Sequence, residues 1–401
     1  MKRRRCPNTR GADAVLALAA LGLVTAFSGT AFAQDWRLGG QASQSFVFDT
    51  NKRLSESGSD PSFGSITSLS GNISRATPRN TTTLTGQAAV ARYFTDASLN
   101  SEDFGVAVNT KHQFLRSGLD LGAGARRAST LFTEQTDSGN FGENADLTTA
   151  FVNSAWRYRV SERDTVNLSG GWTGRFFDGG GFSDSNNLFA AGTWSRQVSL
   201  IDSVSFGPRF GYLISRDNET VQTYSALFGW QREVTDRIAL SLSAGPRLSV
   251  ANNSAGSGSG TETSVGVDVN FSISYQLSER TSLTGSVFSG VEPSSEGGVQ
   301  PRQRIALGLS HRLSQSSTFS LSGSFQHNGD DLNGTGGDRR LFFDVSAALD
   351  YRVSQSWTLR GQYGFRAQTT NGSNSFANSN SFAVVIVYAP QSRRIGDLVR
   401  R

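Results

Sequence analysis

The chain holds one cysteine and one methionine, Cys6 and Met1, both within its first six residues. A disulfide framework, a thiolate metal site and a thiol nucleophile are thereby excluded from the remainder. Proline occurs eight times, histidine three times, and lysine only at Lys2, Lys52 and Lys111 against 35 arginines. No sustained helical period occurs beyond the first 33 residues, and the apolar run 14–26 is too short to anchor in a bilayer. The positive charge is thin as well. Residues 1–33 carry +4 and 391–401 carry +3, more than the whole net charge of +5, which leaves −2 on the body of the chain. A nucleic-acid-binding domain carries a basic patch on its folded surface, so no nucleic-acid partner is expected.

What the chain has instead is glycine, 44 residues of it, and alternation. In 341–366, Leu341, Phe343, Val345, Ala347, Leu349, Tyr351 and Val353 alternate with Phe342, Asp344, Ser346, Ala348, Asp350 and Arg352. After Ser354-Gln355-Ser356 the alternation resumes, with Trp357, Leu359, Tyr363 and Phe365 against Arg360, Gln362, Gly364 and Arg366. A period of two puts one set on each face of a strand. One face is apolar; the other carries charge and no large hydrophobe except Phe342. Residues 264–277 follow the same rule, Val265, Val267, Val269, Phe271, Ile273, Tyr275 and Leu277 forming the apolar face.

The hairpin repeats. An aromatic or histidine, a β-branched residue or leucine, and a polar turn recur at Trp156 and Val160, Trp194 and Val198, Trp230 and Val234, Tyr275 and Leu277, His311 and Leu313, and Tyr351 and Val353. The spacing of 36 to 45 residues leaves room for two strands of about 12 residues, a tight turn and a longer loop. The longer connectors are 49–62, 133–145, 178–186, 252–261, 293–301, 329–338 and 370–380. Short turns alternating with long polar loops are the pattern of outer-membrane barrels. The expected fold is all-β: one transmembrane antiparallel up-and-down barrel of about 18 strands, 16 being the alternative, with short periplasmic turns and longer extracellular loops. Residues 1–33, with Lys2, Arg3, Arg4, Arg5 and the Ala31-Phe32-Ala33 site, are expected to be a cleaved signal peptide. Residues 34–390 are the expected barrel, and 391–401 a basic, disordered periplasmic tail. The expected location is the bacterial outer membrane.

On that reading Trp156, Trp194, Trp230, Tyr275, Tyr351 and Trp357, all near the tight turns, form an aromatic girdle at the periplasmic interface. Parity places Arg157, Arg159, Arg175, Arg304, Arg312 and Arg352 in the lumen. Arg360, Arg366, Glu233, Asp268, Asp344 and Asp350 join them. These charges either pair into a stiff lattice or leave a cationic ring that favours anions. Pairing of Arg352 and Arg360 with Asp350, Asp344 and Glu233 is the expected outcome. His112, His311 and His327 fall with the outward set, and no nucleophile–base pair can be assembled. No enzyme activity, metal site or cofactor is expected. None of the loops reaches the length needed to fold deeply into the lumen; 49–62, with Pro61, is the longest candidate.

Phe46-Val47-Phe48-Asp49-Thr50-Asn51 closes the first strand, and repeated hairpins follow. In this the chain resembles the β-barrel porins encoded with surface-polysaccharide clusters, which implies outer-membrane export or passage of a glycan and no catalytic residues. Residues 381–389, with Phe382, Val384, Ile386 and Tyr388 on one face, resemble the terminal insertion signal of barrel proteins. The expected function is passive passage of small polar solutes. The alternatives are a conduit for exported polysaccharide and a structural or surface-recognition barrel with a closed lumen. The expected partners are outer-membrane lipid, the barrel-assembly machinery, and the small polar solute or glycan.

Overall fold

In the computed structural model, the described residues are 36–394 apart from 57–59, 135–143, 180, 216–218, 254–259, 296–298, 330–338 and 371–375. The signal peptide expected over 1–33 lies outside the described residues, as do the last seven residues of the tail.

Eighteen strands follow one another around a closed antiparallel barrel. The first half runs β1 (Trp36–Asp49), β2 (Ser62–Ala76), β3 (Asn80–Tyr93), β4 (Ser101–Gln113), β5 (Ser117–Ser129), β6 (Asp146–Arg159), β7 (Asp164–Asp178), β8 (Ser185–Gln197) and β9 (Asp202–Ser215). The second runs β10 (Thr220–Thr235), β11 (Ile238–Asn253), β12 (Gly260–Ser278), β13 (Thr281–Pro293), β14 (Val299–Arg312), β15 (Ser317–Asn328), β16 (Arg340–Arg352), β17 (Trp357–Thr370) and β18 (Ala377–Tyr388). β18 closes on β1, with Ala42 opposite Tyr388 and Asp49 opposite Ser381. A two-residue strand, β19 (Arg393–Arg394), also pairs with Arg37 and Leu38 of β1. Two residues of the segment expected to be disordered therefore extend the ladder past Pro390.

The connections alternate in length as the repeat requires, and the short ones share a device. Ser161, Ser199, Ser314 and Ser354 each follow the β-branched residue or leucine of the repeat. Each serine Oγ accepts the backbone N–H groups two and three residues on, as Ser199 does from Ile201 at 3.2 Å and Asp202 at 2.9 Å. A hydroxyl that satisfies turn amides locally lets the chain reverse within four residues. The opposite end holds the longer loops, including a one-turn helix, Thr130–Thr133.

Register separates the two faces. Val345 opposite Phe365, Leu349 opposite Gly361 and Tyr351 opposite Leu359 lie on the outer face, whereas Asp350 faces Arg360 on the inner. Large apolar side chains stand exposed all round the exterior, Val265, Leu307, Phe382 and Val384 among them. The six aromatics expected in the girdle all fall on this outer face beside the short turns. Trp156 stacks on Tyr158 at 5.5 Å, and Trp357 of β17 meets Tyr388 of β18 at 4.8 Å. Several outer-face charges are paired: Arg232 and the Trp230 indole N–H both meet Asp202, and Arg127 meets Asp146. His112, His311 and His327 all face outward by the same register.

Candidate functional site

A barrel of 18 strands encloses an aqueous space unless something fills it. Loops enter at one rim, and 49–62, the longest candidate from sequence, is one of them. Between β1 and β2, Leu54 is buried against Phe342 and Ala377, both inward-facing. Gln368 Nε2, also inside, donates to the Leu54 carbonyl at 3.3 Å. Phe342, the one large hydrophobe on the polar face of its strand, is thus a seat for the first loop. The loop between β5 and β6 enters as well. Leu131 of the one-turn helix packs into a cluster with Ala91, Tyr93 and Leu99. The reach of the first loop is short, since its anchor Phe342 is the third residue of β16.

The two inserted loops touch one another. Lys52 Nζ lies 4.7 Å from the centroid of the Phe132 ring, and Lys52 is buried. Burial, the Arg366 guanidinium and, in the opposite sense, Asp49 together bring the Lys52 ammonium down to about 8. Asp49 is fully buried, accepting from Arg366 Nη2 at 2.7 Å and from Ser379 Oγ at 2.5 Å. Removing either partner of such a pair strands a buried charge, at about 3–5 kcal/mol. A third loop joins in: Arg53 Nη2 donates to Ser98 Oγ at 2.6 Å, and the Ser98 hydroxyl and amide hold Asp96 below the usual carboxylate range. Asn144 then donates to the carbonyls of Ser98 and Asn100. Elsewhere on the same rim the Ser183 N–H donates to the Ser295 carbonyl at 2.8 Å, tying two further loops together.

Below these loops, against the inner wall from β7 to β14, lies a chamber of about 520 Å³. Four arginines line it: Arg175, Arg209, Arg247 and Arg302. Three are matched by an acid. Arg175 meets Glu134 at 3.0 Å, Arg247 meets Asp268 at 2.6 Å, and Arg302 meets Glu292. Arg209 has no ion pair among the described residues. Phe189, Phe288, Asn187, Asn270 and a set of Ser and Thr hydroxyls complete the wall.

Of the residues expected in the lumen, all twelve fall on the inner face by register, but only Arg175 and Asp268 line this chamber. The expected pairing is realised in one case. Arg360 grips Asp350 with two hydrogen bonds, at 2.7 and 3.0 Å. Arg366 instead reaches Asp49, and Asp344 accepts from the Ser324 hydroxyl. Arg157 donates to Asn167 at 3.1 Å. Arg159, Arg304, Arg312, Arg352 and Glu233 have no ion pair among the described residues. Neither a complete lattice nor a bare cationic ring is formed.

Arg209, Arg247 and Arg302 were not singled out from sequence, although a signal marks them. Each follows a proline, as Pro208-Arg209, Pro246-Arg247 and Pro301-Arg302, inside a strand where proline is unusual. Proline gives the ladder no N–H. The pairing of β8 with β9 skips Pro208 and Gly207, and that of β10 with β11 skips Gly245 and Pro246. Two ladders therefore open beside the chamber arginines. Arg247 also needs a bare neighbour: a methyl group on Gly266 would stand 2.3 Å from Arg247 Nη2.

The fold and site together define a closed 18-stranded β-barrel with an apolar exterior and a polar, arginine-rich interior narrowed by its own loops. No family model and no curated protein matches the chain. Among solved structures it is similar in shape to OccAB4 of Acinetobacter baumannii (8% identity, 90% of this chain and 99% of that one, TM-score 0.48). It is likewise similar to OpdK of Pseudomonas aeruginosa (12%, 89% and 99%, 0.46) and to the FrpB iron transporter of Neisseria meningitidis (9%, 89% and 83%, 0.49).

Proposed function

We propose that this protein is an outer-membrane channel for passive passage of small polar solutes. The carrying observation is the inversion of faces: exposed Leu, Val and Phe outside, and Arg, Asp, Asn, Ser and Thr inside. Water on both sides would leave the apolar band without a partner, whereas lipid outside and water inside match both faces. The aromatics beside the short turns fit the headgroup level of one leaflet. The inserted loops favour small solutes over a polymer, since Lys52 on Phe132 joins loops anchored on different parts of the wall. Lipid and the barrel-assembly machinery are the partners this reading requires, with Phe382, Val384, Ile386 and Tyr388 of β18 as the terminal signal.

Reconstitution tests it. Purified protein in a planar bilayer is expected to give discrete conductance steps, and proteoliposomes are expected to swell faster in glucose than in a trisaccharide. Absence of both steps and swelling would leave the closed structural barrel as the better reading.

A further inference from the structure

We propose that the barrel wall has a lateral port at the lower end of the β1–β18 seam, built to take a neutral single-chain amphiphile. Its chain passes through the wall at 39–41, and its polar head lies in the lumen against Gln41, Asn72 and Gln87. The port rests on the same reading, lipid outside and water inside, and adds a sideways path to the axial one.

The seam is interrupted. β18 is in register with β1 only from Ala42 to Asp49, and β19 returns to it at Leu38 and Arg37. Between them Gly39, Gly40 and Gln41 pair with β2 alone among the described residues. The chain opposite is drawn away from them. The Ala389 N–H donates to the Ser356 carbonyl at 2.8 Å, and Gln391 Nε2 donates to Gln355 Oε1 at 3.3 Å. Pro390, between those two, has no N–H to give back to β1. The Thr50 N–H donates to the Asn380 carbonyl at 3.0 Å, so the even-numbered residues of β1 turn their backbone groups towards β18. By that alternation the Gly40 N–H and carbonyl face the opening, with no strand opposite. Trp357 and Tyr388, at its upper margin, set it at the level of the aromatic girdle.

Both sides of the opening suit an amphiphile. A cavity of about 660 Å³ reaches it from the lumen, with Gly40 on one margin and Ala389 on the other. Amides and hydroxyls line most of the rest, and the one charged group among its described lining residues, Arg126, meets Asp103 at 3.5 Å. Such a wall fits an uncharged head that both donates and accepts, such as glycerol or a sugar. Beside the opening β18 is apolar on both faces over 382–389. An insertion signal on its outer face accounts for Phe382, Val384, Ile386 and Tyr388 and leaves the inward residues without a use. Val385 and Val387 are those residues, half-buried and in register with Arg360 and Thr358. They continue the lipid-facing surface through the wall to the lumen. On the outside Gly40, Gly71 and Gly86 share one row of the register, so in that row no side chain of β1–β3 covers the opening. What the wall lacks there is one extended backbone, about 13 Å long. A single alkyl chain matches that width, and the paired chains of a phospholipid exceed it.

The test uses the barrel reconstituted in phosphatidylcholine vesicles, in a Cys6→Ser background with a fluorescent label on Gln41→Cys. A monoacylglycerol with a nitroxide on its chain is the probe, and nitroxide-labelled phosphatidylcholine is its two-chain comparison. The monoacylglycerol is expected to quench the label at about a tenth of the mole fraction that phosphatidylcholine needs, the worth of one or two hydrogen bonds to the head. A label on Gln231→Cys, on β10 nine strands away, is expected to be quenched by neither. Ala389→Trp fills the free margin and is expected to remove the difference between the two lipids. Should it fail to insert, Gln391→Trp stands on the same margin and is expected to do the same. Equal quenching by both lipids, equal quenching at Gln231→Cys, or a difference that survives the tryptophan would overturn the proposal. Conductance in the same preparation separates the two readings. Discrete steps without selective quenching remove the port and keep the channel, while selective quenching without steps keeps the port and removes the channel.

Discussion

Lys52 is the residue whose chemistry depends most on where the fold puts it. An exposed lysine titrates near 10.5, and this one is brought down to about 8 by burial first and by Arg366 second, against the pull of Asp49. Between those values the withdrawn loop still holds a proton that the seated loop has released. Seating is therefore favoured as pH rises through about 8 towards 10.5, and is least favoured below 8, where the ammonium has to be buried charged. Single-channel conductance is expected to fall between pH 8 and 10, and Lys52→Met to remove that dependence. A conductance that rises over the same range would contradict the assignment. Gly266 is the second case at this scale. Gly266→Ala drives a methyl group into the Arg247 guanidinium and is expected to destabilise the barrel by about 1–3 kcal/mol, as overpacking does. Urea denaturation of the refolded variant measures it, and an unchanged midpoint would show that Arg247 moves aside freely.

At the scale of the element, each strand is a two-faced object, and β12 states this most openly. Val269 stands outside, opposite Ala244 and Ser289, while Asn270 lines the chamber one residue further on. Val269→Arg is expected to cost about 2–4 kcal/mol near the bilayer midplane. Asn270→Arg is expected to be tolerated in folding. Equal stability of the two variants in lipid would remove the membrane assignment. The neighbouring ladders carry a further consequence. Pro208 and Pro246 each interrupt pairing on one side, so the wall at β8–β11 holds fewer backbone bonds than the wall at β15–β17. Amide hydrogen exchange is expected to be faster at Ala226 and Leu227 than at Ala347 and Ala348.

For the whole molecule the question is how a wide barrel is narrowed by its own loops. The first loop is held by Leu54 on Phe342 and by Arg366 on Asp49, two anchors on neighbouring strands of the wall, and by Arg53 on Ser98 of another loop. Leu54→Asp places a charge in that apolar seat and is expected to release the loop, raising conductance with little change in barrel stability. Unaltered conductance would mean that the loop does not bound the path. At the other mouth Arg360 is neutralised by Asp350 while Arg352 and Arg312 have no ion pair among the described residues. A mild anion preference follows. Arg352→Gln is expected to move the reversal potential in a salt gradient towards zero, and Arg360→Gln to move it less. The reverse order would place the field elsewhere.

The alternation of residues such as Val265 to Leu277, the repeated aromatic and serine turn, and the scarcity of proline determine by themselves a barrel of long hairpins. Strand parity is a local property that the sequence carries without help from the fold. It therefore also determines which arginines face inward, and even the oddity of Phe342 is visible before its use is known. Pairing partners are another matter. Arg366 finds Asp49 rather than Asp344 because the barrel closes β18 on β1 and brings the chain's two ends together, which no local pattern encodes. Entry of the loops is decided in the same way: Leu54 and Leu131 read as ordinary loop residues until the curvature of the wall sets Phe342, Ala377, Ala91 and Tyr93 within their reach. The chamber likewise exists only because closure places β7 to β14 around one space, where three Pro-Arg pairs separated by tens of residues in sequence converge.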